Sequence, residues 1–138
     1  MADVFTAEEK AAMRERAEEI KNAKRGSEKN PEDELLAKMA EMPDGDRELA
    51  QRVHAVVMTA APQLKPRTWY GMPAWEKDGA VMCFLQVRSK FNTRYCTFGF
   101  NDNAALDDGP LWPTSFAIDK LTKAVEKQIA DLVTRAVG

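Results

Sequence analysis

Ten of the eleven aromatic residues of this 138-residue chain lie between Trp69 and Phe116, and only Phe5 falls outside. Aromatic side chains bury the most area per residue and carry a directional polar tip. The middle third must therefore build the core, a pocket wall, or both. The flanks differ in kind: they are rich in Ala, Glu, Lys and Arg, with apolar residues at helical spacing. Helices, then an aromatic block with turn signals, then a last helix give an α+β domain and not a doubly wound one.

The first helix is expected over residues 6–24. Thr6 and Glu9 form a capping-box pattern, and the apolar content is thin: Phe5, Met13, Ala17 and Ile20. Such a helix is marginal alone and needs a partner or stays mobile; a solvated, partly frayed helix is the expectation. Residues 22–30 are charged, contain Gly26 and Ser27, and read as a linker. The expected division is a helical extension with its linker over 1–30 and one domain over 31–138.

Asn30, Pro31 and the acids Glu32, Asp33 and Glu34 mark a second helix start, with Leu35, Leu36, Met39 and Met42 as its apolar side and Pro43 as its end. A third helix runs from about Asp44 to Ala61, with Leu49, Val53, Val56, Val57 and Ala60 facing a core and His54 beside that stripe. Residues 68–76 read as one bent or edge strand, with Trp69, Gly71, Pro73 and Trp75 on one side. Lys77, Asp78 and Gly79 form a hairpin turn, residues 80–88 a central strand, 89–93 a second turn and 94–100 a third strand. A long loop over 101–113 leads to a short strand at 114–118. A final helix from about Thr122 carries Val125, Ile129, Leu132, Val133 and Ala136 on one face. Short turns imply antiparallel pairing, so the expected fold is an antiparallel sheet of three to four strands packed against N- and C-terminal helices.

Charge removes several function classes. The net charge is −2, with −4 over residues 1–44 and +2 over 45–138. Neither half supports a nucleic-acid or polybasic membrane partner. No stretch approaches the ~20 apolar residues of a membrane span. The first residues are charged without an apolar run, so no secretory signal is expected and a cytoplasmic setting with reduced thiols is. A monomer or weak homodimer is expected.

Catalytic patterns are missing. Gly99 and Gly109 are isolated, His54 is the lone histidine with no serine placed beside it, and no nucleophile–base pair can be named, so no enzyme is expected. With the second turn at Ser89 to Thr93, Arg88 faces Arg94 and Cys83 and Cys96 point to opposite sheet faces; a different register puts them on one face, and buried, reduced thiols are expected in either case. Arg88, Lys90 and Arg94, interleaved with Phe91 and Tyr95, read as a solvated hairpin tip with cation–π pairs.

Two ligand arrangements remain. Trp69, Tyr70, Met72, Trp75 and Trp112 can line a concave apolar site, with the Tyr70 hydroxyl and Arg67 as polar anchors. In the loop over 101–109, Asp102, Asp107 and Asp108, with Asn101 and Asn103, can offer oxygen to a hard cation. The same loop reads first as a run of Asx turns, in which Asp and Asn side chains bond their own backbone. A protein-interaction module docking through the first helix is a third reading.

The segments Trp69-Tyr70-Gly71-Met72-Pro73-Ala74-Trp75, Val81–Gln86, Phe98-Gly99-Phe100-Asn101-Asp102, Leu106-Asp107-Asp108-Gly109 and Trp112-Pro113-Thr114-Ser115-Phe116-Ala117 resemble the YdhG-like domain-of-unknown-function family, over roughly residues 34–138. Tyr70-Gly71-Met72-Pro73 is the most specific part. The resemblance implies a small α+β fold with an antiparallel sheet and flanking helices. One branch is described as frataxin-like iron chaperones, which implies intracellular iron held by surface carboxylates. Asp102, Asp107 and Asp108, with Glu32, Asp33 and Glu34, are groups of that type here. A non-catalytic binding domain that handles iron through carboxylates is thus the expected function, with a small-molecule pocket or an interaction module as alternatives.

Overall fold

A computed structural model of the chain describes residues 4–24 and 30–138. Most of the linker expected at 22–30 lies outside the described residues. The elements run α1 (Ala7–Lys24), α2 (Pro31–Ala40), α3 (Asp44–Ala60), β1 (Lys65–Trp69), β2 (Met72–Lys77), β3 (Ala80–Gln86), α4 (Arg88–Phe91), β4 (Cys96–Phe100), β5 (Ser115–Ile118) and α5 (Lys123–Val137). The strands form one antiparallel meander in the order β1-β2-β3-β4-β5. The fold is α+β, with one strand more than the sequence suggests. No helix among the described residues is long and apolar enough to cross a membrane.

Helix starts follow their local chemistry. Thr6 Oγ1 accepts from Glu9 N while Glu9 Oε1 accepts from Thr6 N, both at 3.0 Å, which closes the capping box of α1. The Asn30 side chain accepts from Glu32 N at 2.8 Å with Pro31 at the first helical position of α2. Thr122 caps α5 through Val125 N at 3.2 Å.

Cross-strand partners put Trp75, Cys83 and Phe100 on one sheet face, followed by Leu85, Phe98 and Phe116, then Cys96 and Ile118. Leu35 and Met39 of α2, Leu49, Val53 and Val57 of α3, and Ile129, Val133 and Ala136 of α5 complete this core. Leu36 is left 42% exposed, so α2 buries a narrower stripe than its composition suggests. The loop after β4 belongs to the core as well. Ala104 and Leu106 are buried, and Ala105 N donates to Ala136 O at 2.8 Å. The opposite face aligns Arg67, Ala74, Phe84, Gly99 and Ser115. A methyl group at Gly99 would strike the Phe84 ring, so glycine lets this aromatic lie across β4.

Three expectations are corrected. Residues 68–76 are not one strand. Tyr70 (φ 53°) and Gly71 (φ 76°) both take positive φ and turn the chain back in a two-residue hairpin, with Trp69 opposite Met72. The turn supplies the fifth strand. It also sends Trp69 to the face away from Trp75. Second, residues 89–93 are not a simple turn: α4 occupies 88–91 and closes on Asn92 in the left-handed region. The β3–β4 register therefore pairs Cys83 with Phe100, and Cys83 and Cys96 share the core face instead of opposing each other. A shift of one residue is enough to flip a whole strand. Third, α1 is not merely solvated; it docks across one end of the sheet.

Candidate functional site

Of the described side chains of α1, only Ala12 is buried, while Phe5, Met13 and Ile20 remain 40–48% exposed. Polar contacts fix its position. Glu15 and Glu19 stand one helical turn apart and so share a face. The two Glu19 oxygens accept from Tyr70 N and Gly71 N, each at 3.1 Å. Successive backbone N–H groups in such a turn make a concavity suited to an anion. Glu15 receives Lys38 Nζ of α2 and Lys90 Nζ of α4, both at 2.6 Å. Burial alone would raise the Glu15 carboxyl, but hydrogen bonds and charge from Lys38 and Lys90 outweigh it and hold the group below the usual glutamate range. The Arg16 guanidinium lies over the Tyr70 ring at 5.7 Å.

Gly71 is where these elements close on one another. A methyl group there would run into the Glu15 carboxylate and the Lys90 ammonium. The turn thus presses its bare Cα against the ion-pair cluster: the positive φ favours glycine, and a methyl group there would displace the ends of the Glu15 and Lys90 side chains.

Two clefts flank α1. One, of about 310 Å³, has Met72, Pro73, Leu85 and Val87 on its apolar side, Glu15, Lys38 and Lys90 as polar groups, and Glu8 and Glu41 also in its lining. The other, of about 530 Å³, is lined by Phe5, Met13, Tyr70, Met72, Gln86 and Phe91. Met72 lines both.

Of the ligand residues named from sequence, Tyr70 and Met72 meet in the larger cleft. Trp69 stands beside them, edge-on to Tyr70 at 5.1 Å and tilted against Phe84 at 5.3 Å. Arg67 lies on β1, where Nη1 pairs with Glu76 Oε1 at 2.8 Å and Nε donates to Thr68 O. Trp75 and Trp112 line neither cleft. Trp75 is fully buried, and Trp112 packs half-buried against the core. Glu15, Glu19 and Lys38 escape a ligand-site reading of the sequence, which takes Lys90 and Phe91 as part of a solvated hairpin tip. The one local signal is the Glu15–Glu19 spacing on a helix with few apolar residues; nothing local ties it to Lys90.

Asp102, Asp107 and Asp108 are exposed, and among the described residues no group of three His, Cys, Asp or Glu side chains is placed to hold a metal ion. The loop amides are engaged with β3: Asn101 Nδ2 donates to Val81 O at 3.0 Å and Asn103 Nδ2 to Ala80 O at 3.4 Å. These long-range bonds tie the loop to β3.

The remaining reactive side chains are embedded. Burial pushes the Cys83 thiol strongly up, and it raises Cys96 against the opposing influence of Arg88, whose Nη1 sits 3.6 Å from Sγ. Both thiols are free and disfavour the thiolate that nucleophilic chemistry needs. Asp46, buried at the start of α3, accepts from Ser89 N at 3.1 Å and tethers α4.

No family model, curated protein or solved structure matches this chain.

Proposed function

We propose that this chain is a non-catalytic ligand-binding domain whose site is the groove at the Tyr70–Gly71 end of the sheet. The observation that carries this reading is Met72, which lines both clefts beside α1. Their volumes, about 310 and 530 Å³, fall in the range of small-molecule pockets, roughly 300–1,000 Å³. Apolar walls with a few converging polar groups are the usual composition of such sites. The ligand class is a small aromatic or apolar molecule.

The resemblance to the YdhG-like family belongs to the same proposal, since the α+β meander agrees with the fold it implies. Iron handling needs converging oxygen donors. The exposed Asp102, Asp107 and Asp108 do not favour it over the groove. The two free, buried thiols fit a reducing, cytoplasmic setting.

A titration with 2-naphthol, followed by amide NMR, tests the reading. Shifts confined to the cleft lining, Phe5, Met13, Tyr70, Met72, Gln86 and Phe91, are expected. Uniform small shifts, or none at millimolar probe, would contradict it.

A further inference from the structure

We infer that Lys38, Lys90 and the backbone amides of Tyr70 and Gly71 form a carboxylate-recognition site that α1 fills from within the chain, and that the ligand of the groove is an aromatic or apolar carboxylate competing with α1. The inference rests on the groove reading above and adds the charge of the ligand and its internal competitor.

Each donor of the cluster already holds a carboxylate. Two ammonium groups meet Glu15 at 2.6 Å, and two backbone amides meet Glu19 at 3.1 Å. Charge-assisted hydrogen bonds of this kind are the strong ones, and the geometry accepts a carboxylate without rearrangement. The Lys90 side chain is only 13% exposed and shares its cleft with Met72, Leu85 and Val87. A cation so placed is left uncompensated when its partner leaves, so the cluster recruits another anion. Lys38 is the more exposed lysine and keeps a longer contact, 4.0 Å, to Glu41. Specificity for the incoming carboxylate therefore rests chiefly on Lys90.

The occupant is weakly anchored. Ala12 is the one buried side chain among the described residues of α1, so little apolar packing holds the helix in place. Its hold comes from the two Glu15 ion pairs and the two Glu19 hydrogen bonds, with almost no apolar burial behind them. A ligand offering a carboxylate together with an apolar body matches the charge of Glu15 and also fills the cleft beside it, which Glu15 does not. Occupancy by α1 lowers the apparent affinity for such a ligand by the fraction of open groove.

The test compares 2-naphthoate with neutral 2-naphthol on the full chain, its Glu15→Gln/Glu19→Gln variant and its Lys38→Met/Lys90→Met variant. Naphthoate is expected to bind the native chain more tightly than naphthol and to shift the amide signals of α1 toward their positions in the glutamine variant. That variant is expected to bind naphthoate about tenfold more tightly, because the internal competitor is weakened. The lysine variant is expected to lose the preference for naphthoate while retaining naphthol. Equal binding of both probes, with neither variant altering the ratio, would overturn the inference and leave the groove reading intact. No binding of either probe to any of the three chains would overturn both.

Discussion

The indole Nε1 of Trp75 donates a hydrogen bond to Nδ1 of His54 at 3.2 Å, with the two rings stacked 23° from parallel. Trp75 is fully buried and His54 half-buried, so this bond satisfies a core donor that has no access to water. It requires a neutral imidazole with its proton on Nε2. Burial holds His54 below the ordinary histidine value, and the charge of Glu32 opposes this only in part.

The pH dependence follows from that sign. A group depressed in the folded state contributes stability that is present above its unfolded value, 6.5 here, and is lost as pH falls through the lower folded value. Urea unfolding midpoints should therefore drop as pH falls below 6.5. His54→Gln, whose amide oxygen can accept from the indole, should remove that part of the slope. An unchanged slope in the variant would detach the effect from His54.

Glu15 governs a separate, more acidic window. Its carboxyl is also depressed, from 4.5, so its contribution is present above that value and lost as pH falls further. Protonation weakens its ion pairs with Lys38 and Lys90. Protection factors of the α1 amides, corrected for the intrinsic pH dependence of exchange, should fall below pH 4.5 before those of the sheet, and Glu15→Gln should show the lower protection already at pH 7. Simultaneous loss of α1 and the sheet would contradict the local docking described for this helix.

Gly71→Ala and Gly79→Ala separate backbone strain from the close fit under α1. Both glycines have positive φ, 76° and 83°, but a methyl at Gly79 meets nothing within 4 Å, whereas one at Gly71 strikes Glu15 and Lys90. Forcing an L-residue into this region costs about 1–2 kcal/mol, and both variants should show it in urea unfolding. Only Gly71→Ala should also shift the α1 amide signals.

Gly99→Ala should destabilise by about 1–3 kcal/mol, because the methyl overpacks against Phe84. Adding Phe84→Leu should return part of that loss. The coupling, read from a double-mutant cycle, should be of the order of 1 kcal/mol. Additive effects would mean that the ring moves aside without strain.

Glu19→Ala should speed hydrogen exchange at Tyr70 and Gly71, since it removes the acceptor of both amides. Glu18→Ala, at an exposed neighbour on the same helix, should leave those two amides unchanged.

Much of the fold is written in local chemistry. Thr6 with Glu9, Asn30 with Pro31, and Thr122 announce helix starts because capping depends on residues three or fewer apart. The extra strand is hidden because Tyr70 has a strand-former's side chain yet takes a positive φ, which the following Gly71 allows but does not demand. The faces of Cys83 and Cys96 are hidden for a related reason. A single turn of helix at 88–91 shifts the register by one residue. The groove is the least legible part. Its key pair, Glu15 and Lys90, lies 75 residues apart, and charged residues in both segments read equally well as solvated surface. The aromatic window does mark Tyr70 and Met72, but it marks Trp75 and Trp112 with equal force, and those rings serve the core.

The most direct measurement is a crystal structure of the full chain grown with 2-naphthoate. The account predicts the ligand carboxylate between Lys38 and Lys90, its ring against Met72, and Glu15 withdrawn from both lysines. The ligand bound elsewhere, with Glu15 still bridging Lys38 and Lys90, would contradict it.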